Sequence, residues 1–278
     1  MKVILSRKGF DSKTGGYASP ILPDGTMVSL PIPEFNTSIY YKDLMVNPNL
    51  SYLDLMSQLG MSGKYNTNST AHLDPDTNDS ILQRKYAWKA IFGQDNATGG
   101  HLKNQNIGTG DIFLFYGWFK NVISATNGYQ YDPNDKHGKH IIWAYLQVGE
   151  KIEINSQKNY NASYLTHPHF ENRNRTNNTA YIASDSLSFD KNISGAGVFK
   201  YNKNLVLSCD PNKRSLWELP LFFHPSYNTV VTYRKDIKLW NIKQNTCTLN
   251  TNIQAQDFVI YGNPCVEQWA KDIILNNI

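Results

Sequence analysis

Cysteine is scarce in this chain. Its 278 residues include only Cys209, Cys247 and Cys265, which lie far apart and form no C-x-x-C pair. An odd, scattered set excludes a disulfide framework and fits a reducing compartment. Long apolar runs are missing too, and nothing approaches the ~18 residues of a membrane-spanning helix. Met1-Lys2 leads into three apolar residues, Val3, Ile4 and Leu5, and then into charge, which is too little for a signal peptide. A cytoplasmic protein with no membrane partner is the expectation. The N-x-S/T triplets, such as Asn68-Ser69-Thr70, then reflect an Asn-rich composition rather than glycan acceptors. Two familiar signatures are also absent: there is no G-x-x-x-x-G-K-[ST] phosphate loop and no H-E-x-x-H helix.

What is present is a chain rich in β signals. Hydrophobic residues make up 40% and aromatics 13%, which argues against disorder. The length fits a single domain over 1–278, and no linker or repeat divides it. Apolar or alternating runs bounded by Gly, Pro and Asn predict strands at 3–5, 27–32, 112–119, 141–148, 180–183, 205–208, 230–233 and 258–261. The run 112–119 is apolar on both faces, so it is expected at the centre of the sheet. Helices are expected at 52–59, with Ser51 as cap and Gly60 as stop, and at 81–92 behind Asp79 and Ser80. A third follows Asn263-Pro264, where Val266, Trp269, Ala270 and Ile273 keep helical spacing. The stretches 64–70, 155–161 and 172–178 read as loops. The fold class is α+β, β-rich, with a mixed sheet and a few peripheral helices.

Polar residues that carry chemistry gather in a few places. Directly after the first strand stand Ser6, Arg7, Lys8, Asp11 and Ser12: hydroxyls, a guanidinium fork, a point charge and an acid. Gly15 and Gly16 permit close backbone approach or an anion-binding nest. This loop is a candidate ligand contact, with Asp11 a candidate catalytic acid. The alternative is a turn in which Asp11 caps its own backbone and Arg7 forms a structural ion pair.

Histidines supply a second set. In Thr166-His167-Pro168-His169 the proline favours extended geometry, which would turn His167 and His169 to one side. His72 and Asp74 have the same spacing. The four together are candidate ligands for a divalent metal, iron or zinc, and His167 and His169 are also candidate acid–base groups. Gln94, Asp95, Gly99, Gly100, His101 and Asn104 read as a glycine-rich loop, with Gln94 and Asn104 suited to a base edge and His101 to proton transfer. A long turn shaped by its glycines is the plainer alternative, and Asp111 reads as a structural turn residue. Tyr116, Trp118, Trp143 and Tyr145 are either core or stacking walls for a base, with Trp118 nearest a strand exit. Net charge is only +4, yet residues 200–243 hold eight basic against three acidic residues. That segment suits phosphate contacts on one face, or simply a solvated surface.

The motifs SRKGFDS…GG…SPILPDGT…SLPIPE, FGQDNATGGHLKNQNIGTGDIFLFYGWF, HPHF…NTAYIAS…GAGVFKY, LWELPLFFHP and QAQDFVIYGNP…W occur in that order over nearly the whole chain. Taken together they resemble the third nucleotide-modification-associated domain family of phages and bacteria. The resemblance implies a role in modifying DNA bases or in reading modified ones, with a nucleotide, nucleobase or DNA as partner. The GDIFLFYG strand is also similar to one in PUA-like folds of the EVE and ASCH kind, which implies a partly closed barrel with an aromatic-lined base pocket. Three functions follow: an enzyme acting on a base or nucleotide, a non-catalytic reader, and a phage–host conflict protein that sequesters a nucleotide.

Overall fold

The structure, a computed structural model, describes residues 1–84, 87–251 and 256–278. The strand Ile112–Ala125 forms the spine of a ten-stranded sheet. Ile112, Phe113, Leu114 and Phe115 are wholly buried, as an apolar run on both faces requires. Its outer half leaves the core and forms a hairpin with Gly128–Tyr131.

Along the sheet the order is Val230–Val231, Asp257–Tyr261, Val3–Arg7, Ile112–Ala125, Lys139–Glu153, Thr179–Ala183 and Ile91–Gln94. Val3–Arg7 and Ile112–Ala125 run parallel, with Arg7 opposite Tyr116, and the other neighbours on this path are antiparallel. The mixed, β-rich α+β class therefore holds. Register shifts at Ile142/Ala144 and Val148/Glu150 bend the long strand Lys139–Glu153. The sheet curls until its two ends approach, and Gln94 Nε2 donates to Asp257 Oδ2 at 2.9 Å. Aromatic rings fill the curl: the Phe92 centroid lies 4.7 Å from Phe113 and 5.1 Å from Phe115. Among the described residues no backbone ladder closes the gap. The result is a curled open sheet, and a PUA-like barrel is not what the strand pairing shows.

A separate apolar cluster gathers Phe10, Leu30, Tyr41, Leu55, Met61 and their neighbours beside this sheet. The helix Tyr52–Met56 belongs to it and begins with the expected cap: Ser51 and Asp54 form a capping box. The final helix, Pro264–Leu275, starts where the sequence places it, with Asn263 Oδ1 accepting from the Cys265 N–H at 2.9 Å. Val266, Ala270 and Ile273 face the core. Among the described residues no helix is long and apolar enough to cross a membrane.

Several expected elements differ. The described residues of 81–92 form no α-helix: Asp79–Ile81 is one 3-10 turn and Ile91–Gln94 is the last strand of the sheet, while 85–86 lie outside the described residues. Ile91 and Phe92 find a strand partner in Thr179–Ala183, and Asp76 accepts from Arg84 and Trp88, so side chains rather than helical turns secure this stretch. Residues 27–32 give only a bridge from Met27 and the short pair Ile32–Pro33, because Val28 and Leu30 serve the second cluster instead. At 205–208 only isolated bridges form, and 230–233 shortens to Val230–Val231. The glycine-rich stretch after Gln94 is the helix Asn96–Asn104, not a loop.

Phe115→Ala is expected to lower stability by about 3–5 kcal/mol, whereas Ile123→Ala on the exposed hairpin should change it by about 0.5 kcal/mol or less. Urea unfolding of the two variants measures the difference.

Candidate active site

The last strand, Ile91–Gln94, is capped by chain rather than left as an open edge. Asp76 and Ile91 exchange backbone hydrogen bonds of 2.9 and 3.0 Å, and the Gly93 N–H donates to Asp74 Oδ1 at 2.7 Å. Just upstream, His72 sits opposite Ile32 in a two-residue ribbon. His169 arrives on the short helix Pro168–Glu171, packed so closely that a Cβ at position 93 would lie 2.1 Å from its Cδ2. Glycine at 93 is therefore a requirement of space. His72 Nε2 and His169 Nε2 each stand 3.8 Å from Asp74 Oδ2. The ligand atoms of His72, Asp74 and His169 all lie within 4.8 Å of one another. Donors held about 2.1 Å from one ion sit ~3–3.5 Å apart, so a slight contraction would complete a site.

Hydrogen bonds fix the states of these groups. Asn178 Nδ2 donates to the carbonyls of His169 and Asn172, which leaves its Oδ1 to accept from His169 Nδ1 at 2.7 Å. The His169 proton is thus on Nδ1 and its Nε2 is bare, the arrangement of a metal-ligating imidazole with an outer partner. His167 differs. It caps the helix, and its Nδ1 accepts from the His169 N–H at 3.4 Å, so Nε2 carries the proton and faces Asp74 Oδ1 at 3.4 Å. The two histidines do not form the extended pair that their spacing predicts. His167 steadies the carboxylate, and His169 presents the free nitrogen. Among the described residues His72 Nδ1 has no hydrogen-bond partner, and Glu34 Oε2 stands 3.6 Å from it.

Burial pushes His72 down to about 3 against the pull of Asp74, and burial lowers His169 as well. Both imidazoles are neutral at neutral pH. Burial also acts against the Asp74 carboxylate, but the adjacent His167 imidazole, 3.4 Å away, and the other neighbouring imidazoles outweigh it and hold the carboxyl below the usual range. Arg175 bridges two further acids, Glu34 at 2.6 Å and Asp95 at 2.8 Å.

The N-terminal loop lines the same hollow. A cavity of about 190 Å³ is bounded by Arg7, Lys8, Asp11, Gln94 and Asp95 together with His72, Asp74 and His169. Arg7, Asp11 and Thr14 also line a larger neighbouring cavity of about 580 Å³, with Ser12, Lys13, Trp118, His140, Lys213 and Arg214. The two hollows form adjoining lobes of one cleft, acidic and histidine-rich on one side and basic on the other.

Other expected site residues lie elsewhere or act differently. Ser6 is buried in its strand, donating to Asp257 Oδ1 at 2.5 Å. Gln94 does face the cleft but is tethered to the same carboxylate. Gly15 and Gly16 have φ of +87° and +84°, and Gly15 packs against the Phe10 ring, so they are turn residues. Asp11 Oδ1 accepts from the N–H groups of Lys13 and Thr14, and its other oxygen stands 3.9 Å from Arg7. This is the self-capping turn. His101 packs on Tyr233 at 4.6 Å, and Asn104 is exposed near the helix end; neither lines the cleft. Asp111 is a turn residue, accepting from the N–H groups of Lys2 and Gly108. Tyr116 and Tyr145 are core, and Trp143 borders a separate hollow. Trp118 reaches the basic lobe, but its ring carries the Arg214 guanidinium at 4.2 Å. Arg175 and His140 join the site from outside the family motifs; Glu34, Asn178 and Asp257 lie within SLPIPE, NTAYIAS and QAQDFVIYGNP, yet only the fold shows what they touch.

A curled β-rich fold with a histidine–carboxylate pocket opening onto a basic cleft is the class of protein these features define. The model of the family described as nucleotide modification associated domain 3 matches residues 2–261. The chain belongs to that family, which associates it with nucleotide or nucleic-acid modification. Comparison with curated proteins gives no match, and comparison with solved structures gives none either.

Gly93→Ala is expected to leave a folded sheet but displace His169, lowering stability by about 1–3 kcal/mol. Urea unfolding measures the loss, and proton NMR should show the protected His169 Nδ1–H signal weakened or gone.

Proposed function

We propose that the protein is a metal-dependent enzyme that acts on a nucleobase or nucleotide, with His72, Asp74 and His169 holding one divalent iron or zinc ion. The observation that carries this reading is the bare His169 Nε2, fixed by Asn178 and aimed with His72 at one oxygen of a buried carboxylate. Two imidazoles and a carboxylate leave open coordination positions, the pattern of catalytic rather than structural sites. When bound, the ion would polarise or activate whatever occupies those positions. The chain's own residues have separate tasks. His167 and Gly93 N–H orient Asp74, Asn178 orients His169, and Arg175 offsets the charge of Glu34 and Asp95. Arg7 borders the same hollow and would receive the anionic part of a substrate, while Lys8, also at its wall, stands 3.9 Å from the buried Asp257.

Family membership supports a nucleotide-linked substrate, and the donor set favours chemistry over simple reading. Elemental analysis of purified protein is expected to give close to one iron or zinc per chain. His169→Ala or Asp74→Ala should lower that content at least tenfold, and chelation should abolish modification of a nucleotide or DNA substrate. A metal-free protein whose base recognition is indifferent to chelator and to both substitutions would instead be a reader.

A further inference from the structure

The basic lobe presents unused hydrogen-bond capacity. Arg7 and Arg214 both line it, and neither guanidinium makes a hydrogen bond to any described residue. Arg7 has one distant ion pair, to Asp11 at 3.9 Å, whose other oxygen is already taken by backbone. The Arg214 guanidinium carbon lies 4.2 Å over the Trp118 ring, and the Trp118 indole is itself anchored to the His137 carbonyl at 2.9 Å. A guanidinium stacked on a ring keeps its N–H edge free for an anion. Burial lowers the Arg214 pKa, Asp11 offsets part of this, and Arg7 lowers it a little further. Lys13 and Lys213 add two more cations, while Asp11 is the single acid among the lining residues.

His140 adds a directed donor. It is buried, and its Nδ1 accepts the Trp217 indole N–H at 2.9 Å, so the remaining proton of the neutral ring is on Nε2. Its ring borders the same cavity. Two guanidinium forks, two ammonium groups and an imidazole N–H exceed what one carboxylate can satisfy. They match a phosphate, with its near-double charge and several terminal oxygens.

We propose that Arg7, Arg214 and His140 form a phosphate site that seats the phosphate ester of the substrate, while its base or sugar lies across Arg7 toward His72, Asp74 and His169. This rests on the nucleotide reading above but not on the metal. Trp118 is then a positioning residue for Arg214 rather than a stacking wall.

Binding by titration calorimetry in the presence of chelator separates the two ideas. The probes are the four 2′-deoxynucleoside 5′-monophosphates, the matching nucleosides, inorganic pyrophosphate and a short single-stranded oligodeoxynucleotide. At least one monophosphate should bind at least tenfold more tightly than its nucleoside and be displaced by pyrophosphate. Arg214→Gln should shrink that gap to about twofold while leaving metal content unchanged. Lys213→Gln, at an exposed position that cannot disturb folding, should weaken phosphate binding several-fold and flatten its salt dependence. Binding confined to the oligonucleotide, with the same loss in Arg214→Gln, would assign the phosphate to a strand and keep the site. Equal affinity for nucleoside and monophosphate, an unaltered gap in Arg214→Gln, or no binding of any probe overturns the proposal. Loss of metal in His169→Ala with phosphate binding intact would leave this site standing on its own.

Discussion

One buried carboxylate holds the site together. Asp257 accepts from Ser6 Oγ at 2.5 Å and from Gln94 Nε2 at 2.9 Å, and Lys8 Nζ stands 3.9 Å away. Ser6 and Lys8 belong to the first strand and its exit, and Gln94 to the strand at the far end of the sheet. A buried carboxylate left without these partners is strongly destabilising, so its three partners are obliged to meet. Their meeting spans the curl of the sheet, and with the sheet curled the loop after Arg7 stands beside the pocket made by His72, Asp74 and His169. The same ammonium also lies 4.5 Å over the Phe92 ring, which ties the polar junction to the aromatic core.

The cleft then divides by electrostatics. On one side, burial strips protons from imidazoles while those same neighbouring imidazoles keep Asp74 anionic and the Gly93 N–H holds it in place, which is the state in which such groups bind a cation. On the other side, guanidinium groups lack enough counter-charge, which is the state in which they bind an anion. Arg7 borders both lobes and sets the boundary. A substrate with an anionic end and a reactive neutral end fits that division, and nucleotides have this character.

Much of this could be read from the sequence, unevenly. The central strand and final helix were legible because local signals agreed: apolar residues on both faces in the first, an Asn-Pro start with helical spacing in the second. The segment 81–92 misled because Ile81, Ile91 and Phe92 suit either period, and a distant strand, Thr179–Ala183, decided the matter. The spacing of His72 with Asp74, and the sequence His167-Pro168-His169, did point to one place. The division of labour within the histidines did not, because it depends on Asn178 and on His167 capping its helix. The basic stretch 200–243 was visible as charge, yet Lys213 and Arg214 are the members that line the basic lobe. Asp257 stands in the motif QAQDFVIYGNP, but nothing local shows its role, which comes from three partners far away along the chain.

The most direct test is anomalous diffraction from crystals grown with zinc. The arrangement described here predicts one strong peak about 2.0–2.3 Å from His72, Asp74 and His169, with His167 outside coordination distance and still turned toward Asp74. A peak bound through His167 instead, or a zinc ion held elsewhere with these three side chains left apart, would contradict it.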